Sequence, residues 1–122
     1  MKVLICGSRN WSFPGHVKQV IDKLPADAEV IHGDARGADR MAGAHAQLRG
    51  LTVRAYPYLK EFGRRGGPIR NQQMLDLESP ELVIYFTTDE DTPTRGTADM
   101  IRRANKAGIP VMYWSAFLHD IG

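Results

Sequence analysis

The chain has 122 residues, and its 43% hydrophobic and 25% charged content excludes a disordered or fibrous protein and predicts one globular domain over residues 1–122. Sixteen Lys and Arg against fourteen Asp and Glu leave a net charge of +2, which argues against a protein that holds nucleic acid mainly by charge. A single cysteine, Cys6, excludes an internal disulfide, and no apolar run reaches the roughly 20 residues of a membrane helix. We therefore expect a cytoplasmic protein with no membrane partner.

Short apolar runs alternate with helical patterns along the first half of the chain. The run at residues 3–6 stops at Gly7 and is typical of a buried strand. The apolar side chains of residues 14–24 recur instead on one face of a helix. In order, the predicted elements of this half are strand 3–6, helix 14–24, strand 29–32, helix 38–49 and strand 51–56.

The second half begins with an irregular basic stretch at residues 57–67 and then resumes the alternation. Its predicted elements are helix 68–77, strand 82–86, a polar loop at 87–95, helix 96–107 and strand 109–113. The acidic residues of the polar loop lack interleaved oxygen ligands, so no metal site is predicted. The tail from Trp114 is expected to pack on an edge of the fold or to contribute to an oligomer.

Strands that alternate with helices predict an α/β fold, a three-layer sandwich in which helices cover both faces of a five-stranded parallel sheet. We expect the strand order 3-2-1-4-5, since right-handed crossovers leave few alternatives. A ligand of such a sheet binds outside the carboxyl ends of the strands, where the chain reverses direction between strands one and four. This placement brings together the loops at residues 7–11, 33–39 and 87–97.

The first of these loops combines glycine with arginine, as a site for an anion does. Gly7, Ser8 and Arg9 follow the first strand directly, and glycine lets the backbone approach a ligand closely. A tight turn with an exposed arginine explains the same residues equally well, because short glycine motifs are frequent by chance.

The second loop is more specific, because Gly33, Arg36 and Gly37 lead into a helix. Backbone N–H groups at a helix N-terminus attract phosphate, and Arg36 can add charge-assisted hydrogen bonds. The alternative gives Asp39 a capping role and Gly37 a packing role.

Two more loops repeat this arrangement at the start of helices three and four. Arg70 and Asn71 follow a Gly-Gly-Pro sequence, and the alternative for Arg70 is a solvated position at a helix end. Gly96 and Thr97 enter the fourth helix, where a backbone N–H and a hydroxyl suit phosphate, and where Thr97 could instead act as a cap.

Together these motifs resemble the SLOG superfamily, and within it the YspA-like, YpsA-related branch. They are Gly7-Ser8-Arg9, His32-Gly33 with Ala35-Arg36-Gly37-Ala38-Asp39, Gly67-Pro68-Ile69-Arg70-Asn71 with Met74, and Gly96-Thr97-Ala98-Asp99. The resemblance implies a Rossmann-like fold that binds nucleotides or nucleotide-derived molecules. It also implies a distant relationship to LOG-type phosphoribohydrolases and to the single-strand-DNA-binding DprA proteins. Relatives often form dimers through helices beside the pocket, which implies a homo-dimer or a higher homo-oligomer.

The chain departs from the LOG-type pattern Pro-Gly-Gly-x-Gly-Thr-x-x-Glu at the positions that matter for catalysis. The first two glycines are absent, and Met100 stands where the pattern has its glutamate. Asp99 lies one residue away, which is about 100° around a helix axis and does not simply replace that acid. Many YspA-like sequences also have glycine where this chain has Asp34. The resemblance therefore implies ligand binding more directly than it implies catalysis.

The first hypothesis is a sensor or binding module for a nucleotide or a nucleotide-derived small molecule, without a cofactor and with phosphate held at the glycine-arginine loops. The residues predicted to bind the ligand are Gly7, Ser8, Arg9, Gly33, Arg36, Gly37, Asp39, Arg70, Asn71, Gly96 and Thr97. The first alternative is hydrolysis or transfer of the N-glycosidic bond of a nucleoside monophosphate, with Asp34, Asp39 or Asp99 as the carboxylate. The second is single-stranded nucleic-acid binding through residues 60–70, which the low net charge and scarce aromatic residues disfavour.

Overall fold

The computed structural model describes residues 1–120, which form one parallel sheet with helices on both of its faces. The elements in chain order are strand β1 (Lys2–Gly7), helix α1 (Pro14–Lys23), strand β2 (Glu29–His32), helix α2 (Ala38–Leu48), strand β3 (Thr52–Ala55), a 3-10 helix (Lys60–Arg65), helix α3 (Gly66–Glu78), strand β4 (Leu82–Phe86), helix α4 (Arg95–Lys106), strand β5 (Val111–Tyr113) and helix α5 (Trp114–His119).

The five strands lie in the order β3-β2-β1-β4-β5, which confirms the predicted topology. Strand β1 is central, and its Val3 lies opposite Val30 of β2 and Leu82 of β4. Every residue of β4 is buried, as expected of a parallel strand covered on both faces. The chain reverses direction between β1 and β4, so a crevice opens at the carboxyl ends of these strands.

Alternate residues of β1 contribute to two separate cores, one on each face of the sheet. Val3 and Ile5 pack beneath α1, α2 and α5, whereas Leu4 and Cys6 pack beneath α3 and α4. Because the two cores hold the sheet from opposite sides, the loops that leave its carboxyl edge start from fixed positions.

Two short helical segments differ from the sequence prediction. The stretch predicted as irregular contains the 3-10 helix, which Gly63 interrupts with a φ of 57°. The tail from Trp114 forms α5, whose Trp114 and Phe117 pack against the core beneath α1. Each segment has only six residues, too few for helical periodicity to show in the sequence. Within residues 1–120, no helix has the length and apolarity needed to cross a bilayer.

Candidate functional site

A cleft of about 1080 Å³ opens at the carboxyl edge of the sheet, between the loops after β1 and β2 and the first turns of α3 and α4. The structure brings ten of the eleven predicted ligand residues to this cleft. These ten residues are Gly7, Ser8, Arg9, Gly33, Arg36, Asp39, Arg70, Asn71, Gly96 and Thr97. The arrangement matches the expected meeting of strand ends at the switch point.

Gly37, the eleventh predicted residue, does not line the cleft and instead joins its first two loops. Its φ of 79° favours glycine, and a Cβ there would lie 2.4 Å from the Ser8 carbonyl oxygen. The neighbouring Ala38 N–H donates a 3.3 Å hydrogen bond to that same oxygen. The structure therefore supports the packing role that was the alternative for Gly37.

The side chain of Asp39 binds backbone N–H groups of the turn between β2 and α2. Asp39 Oδ2 accepts hydrogen bonds from the backbone N–H groups of Gly33, at 2.9 Å, and Ala35, at 3.5 Å. Burial raises the pKa of the Asp39 carboxyl to about 6, although these two hydrogen bonds and the charge of Arg70 oppose the rise. The N–H groups of Gly33 and Ala35, which the sequence predicted to hold phosphate, are thus hydrogen-bonded to a carboxylate of the protein in this structure.

His32 has a structural position at the end of β2. Its Nδ1 accepts a 2.9 Å hydrogen bond from the Asp34 N–H, which leaves the other ring nitrogen as the N–H donor. Gly43 of α2 provides the space for the ring, since a Cβ there would lie 2.5 Å from His32 Nε2. Burial lowers the pKa of His32. The residue therefore fixes the β2–α2 turn as a neutral side chain.

Arg70 fastens the ends of two strands from its place on α3. Its Nη1 donates to the Gly33 carbonyl and, at 3.1 Å, to the Tyr56 carbonyl, and its Nε donates to Asn71 Oδ1 at 3.1 Å. Gly33 makes room for the guanidinium, because a Cβ there would lie 2.7 Å from Nη1. Burial lowers the pKa of Arg70, and the charge of Asp39 opposes this. Arg70 is thus a half-buried structural cation on the cleft wall rather than a solvated one.

Asn71 and Asp99 link α3 to α4 across the floor of the cleft. Asn71 Nδ2 donates to Asp99 Oδ2 at 3.0 Å, while Arg102 and Arg103 bind the same carboxylate at 2.7 and 2.8 Å. Burial alone would raise the pKa of Asp99, but the hydrogen bonds from Arg103 and Asn71 hold it below its usual range. Asp99 is therefore a fully bonded carboxylate with little capacity to act as a chemical acid.

The first turn of α4 presents unpaired backbone donors to the cleft. The opening N–H groups of a helix have no partner within the helix, and here the side chain of Thr94 caps none of them. Thr94 Oγ1 lies 2.9 Å from Thr97 Oγ1, so these two hydroxyls hydrogen-bond to each other. Open space surrounds Gly96, where an added Cβ meets nothing within 4 Å. An anion can approach this helix end directly.

Arginine dominates the charge of the cleft. Eight arginines and three aspartates line it, and two of the three aspartates form ion pairs with arginines. Asp34 pairs with Arg40, and Asp99 pairs with Arg102 and Arg103. Four exposed arginines have no carboxylate partner within residues 1–120, namely Arg9, Arg36, Arg64 and Arg95. We call these four the rim arginines.

Several residues of the cleft were not among the predicted ligand residues. Those with side chains able to bind an anion or stack on a ring include Asn10, Arg40, Tyr58, Arg64, Arg95, Arg102 and Arg103. The excess of arginine over lysine was the sequence signal that could have pointed to them, but their assignment needs the rotation of α4 and the path of the 3-10 helix. No group of three or more His, Cys, Asp or Glu side chains in residues 1–120 is arranged to hold a metal ion.

Comparison with known proteins places this architecture in a family. The chain is 32% identical over 121 residues to the Gene 61 protein of Mycobacterium phage D29, covering 91% of this chain and 94% of that protein. Residues 1–58 match the YAcAr family, described as the YspA, cpYpsA-related SLOG family. The fold and cleft define a Rossmann-like α/β protein with an arginine-rich crevice. The chain belongs to the YspA, cpYpsA-related SLOG family.

The fold is shared with a larger protein of known structure. DNA processing protein A (DprA) from Streptococcus pneumoniae superposes with a TM-score of 0.74 over 97% of this chain, at 20% sequence identity. The chain spans about half of that structure, since it covers 54% of the DprA chain. At this identity the likeness supports the fold, which agrees with the superfamily resemblance.

Proposed function

We propose that the protein binds a nucleotide or a nucleotide-derived small molecule in the cleft, as a binding or sensing module. The observation that carries this proposal is a cleft lined both by the four rim arginines and by the open N-terminus of α4. Guanidinium groups without carboxylate partners and free helix N–H groups together favour phosphate. The volume of about 1080 Å³ is at the upper end of what small-molecule sites enclose.

The phosphate position in this proposal differs from the one expected from sequence. Asp39 takes the N–H groups of Gly33 and Ala35, so the phosphate is assigned to α4 and the rim arginines. Gly96 and Thr97 would donate backbone hydrogen bonds there, as the sequence motif suggested. All four rim arginines would supply the neutralising charge.

Calorimetric titration with adenosine monophosphate and with pyrophosphate tests the proposal. Arg64→Ala should weaken binding about 5- to 30-fold, the effect of one charge-assisted hydrogen bond. Arg65→Ala is the matched control, because its exposed side chain faces a different groove, on α3, and does not line the cleft. Affinity should also fall as salt is added. Equal losses in the two variants, or no binding of either probe at millimolar concentration, would contradict the proposal.

The two alternatives have weaker support. For N-glycosidic cleavage, Met100 is buried at the position of the LOG-type glutamate, and Asp99 is held by two arginines. For single-stranded nucleic acid, the cleft has the positive charge but Tyr58 is the one aromatic side chain among its lining residues, which leaves no stacking platform.

We further propose that the protein forms a homo-oligomer through the outward face of α3. Leu77 and Ile69 are exposed there, beside a groove of about 690 Å³. The N-terminal end of this face is basic, with Arg65, and its C-terminal end is acidic, with Asp76. Two copies of α3 packed antiparallel would set each basic end against the acidic end of the other copy.

A further inference from the structure

The cleft has opposite charges at its rim and its floor. The rim arginines are exposed, whereas Asp39 is only 5% exposed and lies at the base of the same cleft. A ligand that fills the cleft would therefore place one end among guanidinium groups and the other against a buried carboxyl.

The two oxygens of Asp39 have different surroundings. Oδ2 is directed inward and accepts from Gly33 and Ala35. Oδ1 accepts no hydrogen bond from residues 1–120, and it is not among their fully enclosed polar atoms that lack a partner. The nearby guanidinium of Arg70 donates elsewhere, to the carbonyls of Gly33 and Tyr56. The free oxygen of Asp39 therefore faces the contents of the cleft.

A bound ligand changes the requirements of this oxygen. Filling the cleft removes water from Oδ1, and a buried acceptor without a donor is costly. A phosphate or carboxylate at this point would bring two anions together. A neutral group that donates a hydrogen bond, such as a hydroxyl or an amine, satisfies Oδ1 without repulsion.

We infer that Asp39 determines ligand specificity by accepting a hydrogen bond from a neutral donor of the ligand, at the end opposite its phosphate. This inference rests on the proposed function and extends it, because it selects phosphorylated molecules that also carry a hydroxyl or an amine. A sugar hydroxyl and an exocyclic amine of a base are the two sources of such a donor in a nucleotide. Inorganic phosphate and pyrophosphate lack such a neutral donor, so they would contact only the rim arginines.

The variant Asp39→Asn tests the inference because the structure fixes how the amide would orient. The N–H groups of Gly33 and Ala35 require an acceptor, so the amide oxygen takes the place of Oδ2. The NH₂ group then replaces the free oxygen and turns an acceptor into a donor. Asp34→Asn is the matched control, since Asp34 lines the same cleft but is only half-buried and pairs with Arg40.

Calorimetry with pyrophosphate, adenosine monophosphate, its 2′-deoxy and 3′-deoxy analogues, and inosine monophosphate separates the possible results. Asp39→Asn should weaken adenosine monophosphate about 10- to 100-fold and leave pyrophosphate unchanged or tighter, whereas Asp34→Asn should not distinguish the two probes. In the wild-type protein, a similar loss with a deoxy analogue identifies a sugar hydroxyl as the donor, and a loss with inosine monophosphate identifies the base amine.

The wild-type comparison needs no variant, so it stands even where a substitution impairs folding. The inference is overturned if the wild-type protein binds all four nucleotides with equal affinity, if adenosine monophosphate binds no better than pyrophosphate, or if Asp39→Asn binds adenosine monophosphate like the wild type. Failure of the proposed function has a separate signature, in which neither pyrophosphate nor adenosine monophosphate binds.

Discussion

Replacing Asp39 by Asn should stabilise the protein at neutral pH even though the residue lies in the candidate site. Burial raises the pKa of Asp39 from 3.8 to about 6, so keeping it ionised in the folded protein costs about 3 kcal/mol at pH 7. Asn keeps an acceptor for the N–H groups of Gly33 and Ala35 and carries no charge. We therefore expect the free energy of unfolding of Asp39→Asn to exceed that of the wild type by up to about 3 kcal/mol at pH 7.

The pH dependence of this gain identifies its cause. Below pH 3.8, Asp39 is protonated in both the folded and the unfolded chain, so its ionisation costs the wild-type protein nothing. Between pH 3.8 and about 6 the unfolded chain releases the proton first, and wild-type stability falls as the pH rises. Above about pH 6 the cost is constant. Other titrating groups are common to both proteins, so they cancel in the difference.

Urea denaturation followed by circular dichroism at pH values from 4 to 8 measures the difference. Asp34→Asn is the control, because its partly exposed ion pair with Arg40 contributes less than about 1 kcal/mol. Asn also tolerates the positive φ of 55° at that position. Denaturation curves for Asp39→Asn and the wild type that stay equally far apart at all pH values would refute the reasoning, as would a wild-type protein that is the more stable of the two at pH 7.

Three further predictions address the turns, the sheet edge and the assembly. Gly37→Ala should lower the free energy of unfolding by about 3 kcal/mol or more in thermal or urea denaturation, because the added Cβ overlaps the Ser8 carbonyl oxygen. The control Gly96→Ala should change it by less than about 1 kcal/mol, since its added Cβ meets nothing. Similar losses in the two variants would contradict the close approach of Gly37 to Ser8. Glu78→Gln should lower the free energy of unfolding by about 3 kcal/mol at pH 7, since hydrogen bonds from Arg54 lower the pKa of Glu78 to about 2. Urea denaturation should show this loss shrinking as the pH falls from 4.5 towards 2. A loss that does not depend on pH would contradict the prediction. Leu77→Glu should shift the mass measured by light scattering from oligomer to monomer, and a monomeric wild type would refute the α3 interface.

The sheet and its order could be predicted from the sequence because its two central strands are marked by clear apolar runs. The run that ends at Gly7 and the fully apolar Leu82–Phe86 correspond directly to β1 and β4. The meeting of distant loops then followed from parallel topology, since all strand ends that carry them lie at one edge. Ten predicted ligand residues therefore line one cleft although they are up to 90 positions apart.

The parts of the site that the sequence could not supply depend on side-chain direction. Asp39 belongs to the first turn of α2, yet its carboxylate folds back to Gly33, six residues earlier. Arg103 and Asp99 lie on one side of α4, where Asn71 of α3 joins them. The periodicity of the sequence predicts neither contact, because each depends on how one element packs against another. The motifs therefore predicted where the cleft lies, but they could not show which of its backbone N–H groups lack a hydrogen-bond partner.

The loop that carries Ser8 has a consequence for detecting ligands. The Ser8 carbonyl accepts the Trp11 N–H at 3.2 Å, and the indole of Trp11 sits edge-on to Trp114, with ring centroids 5.6 Å apart. These two residues are the only tryptophans of the chain. Fluorescence excited selectively at tryptophan thus originates in one aromatic group that includes Trp11 of the β1 loop. Its emission should therefore report movement of the β1 loop without an added label.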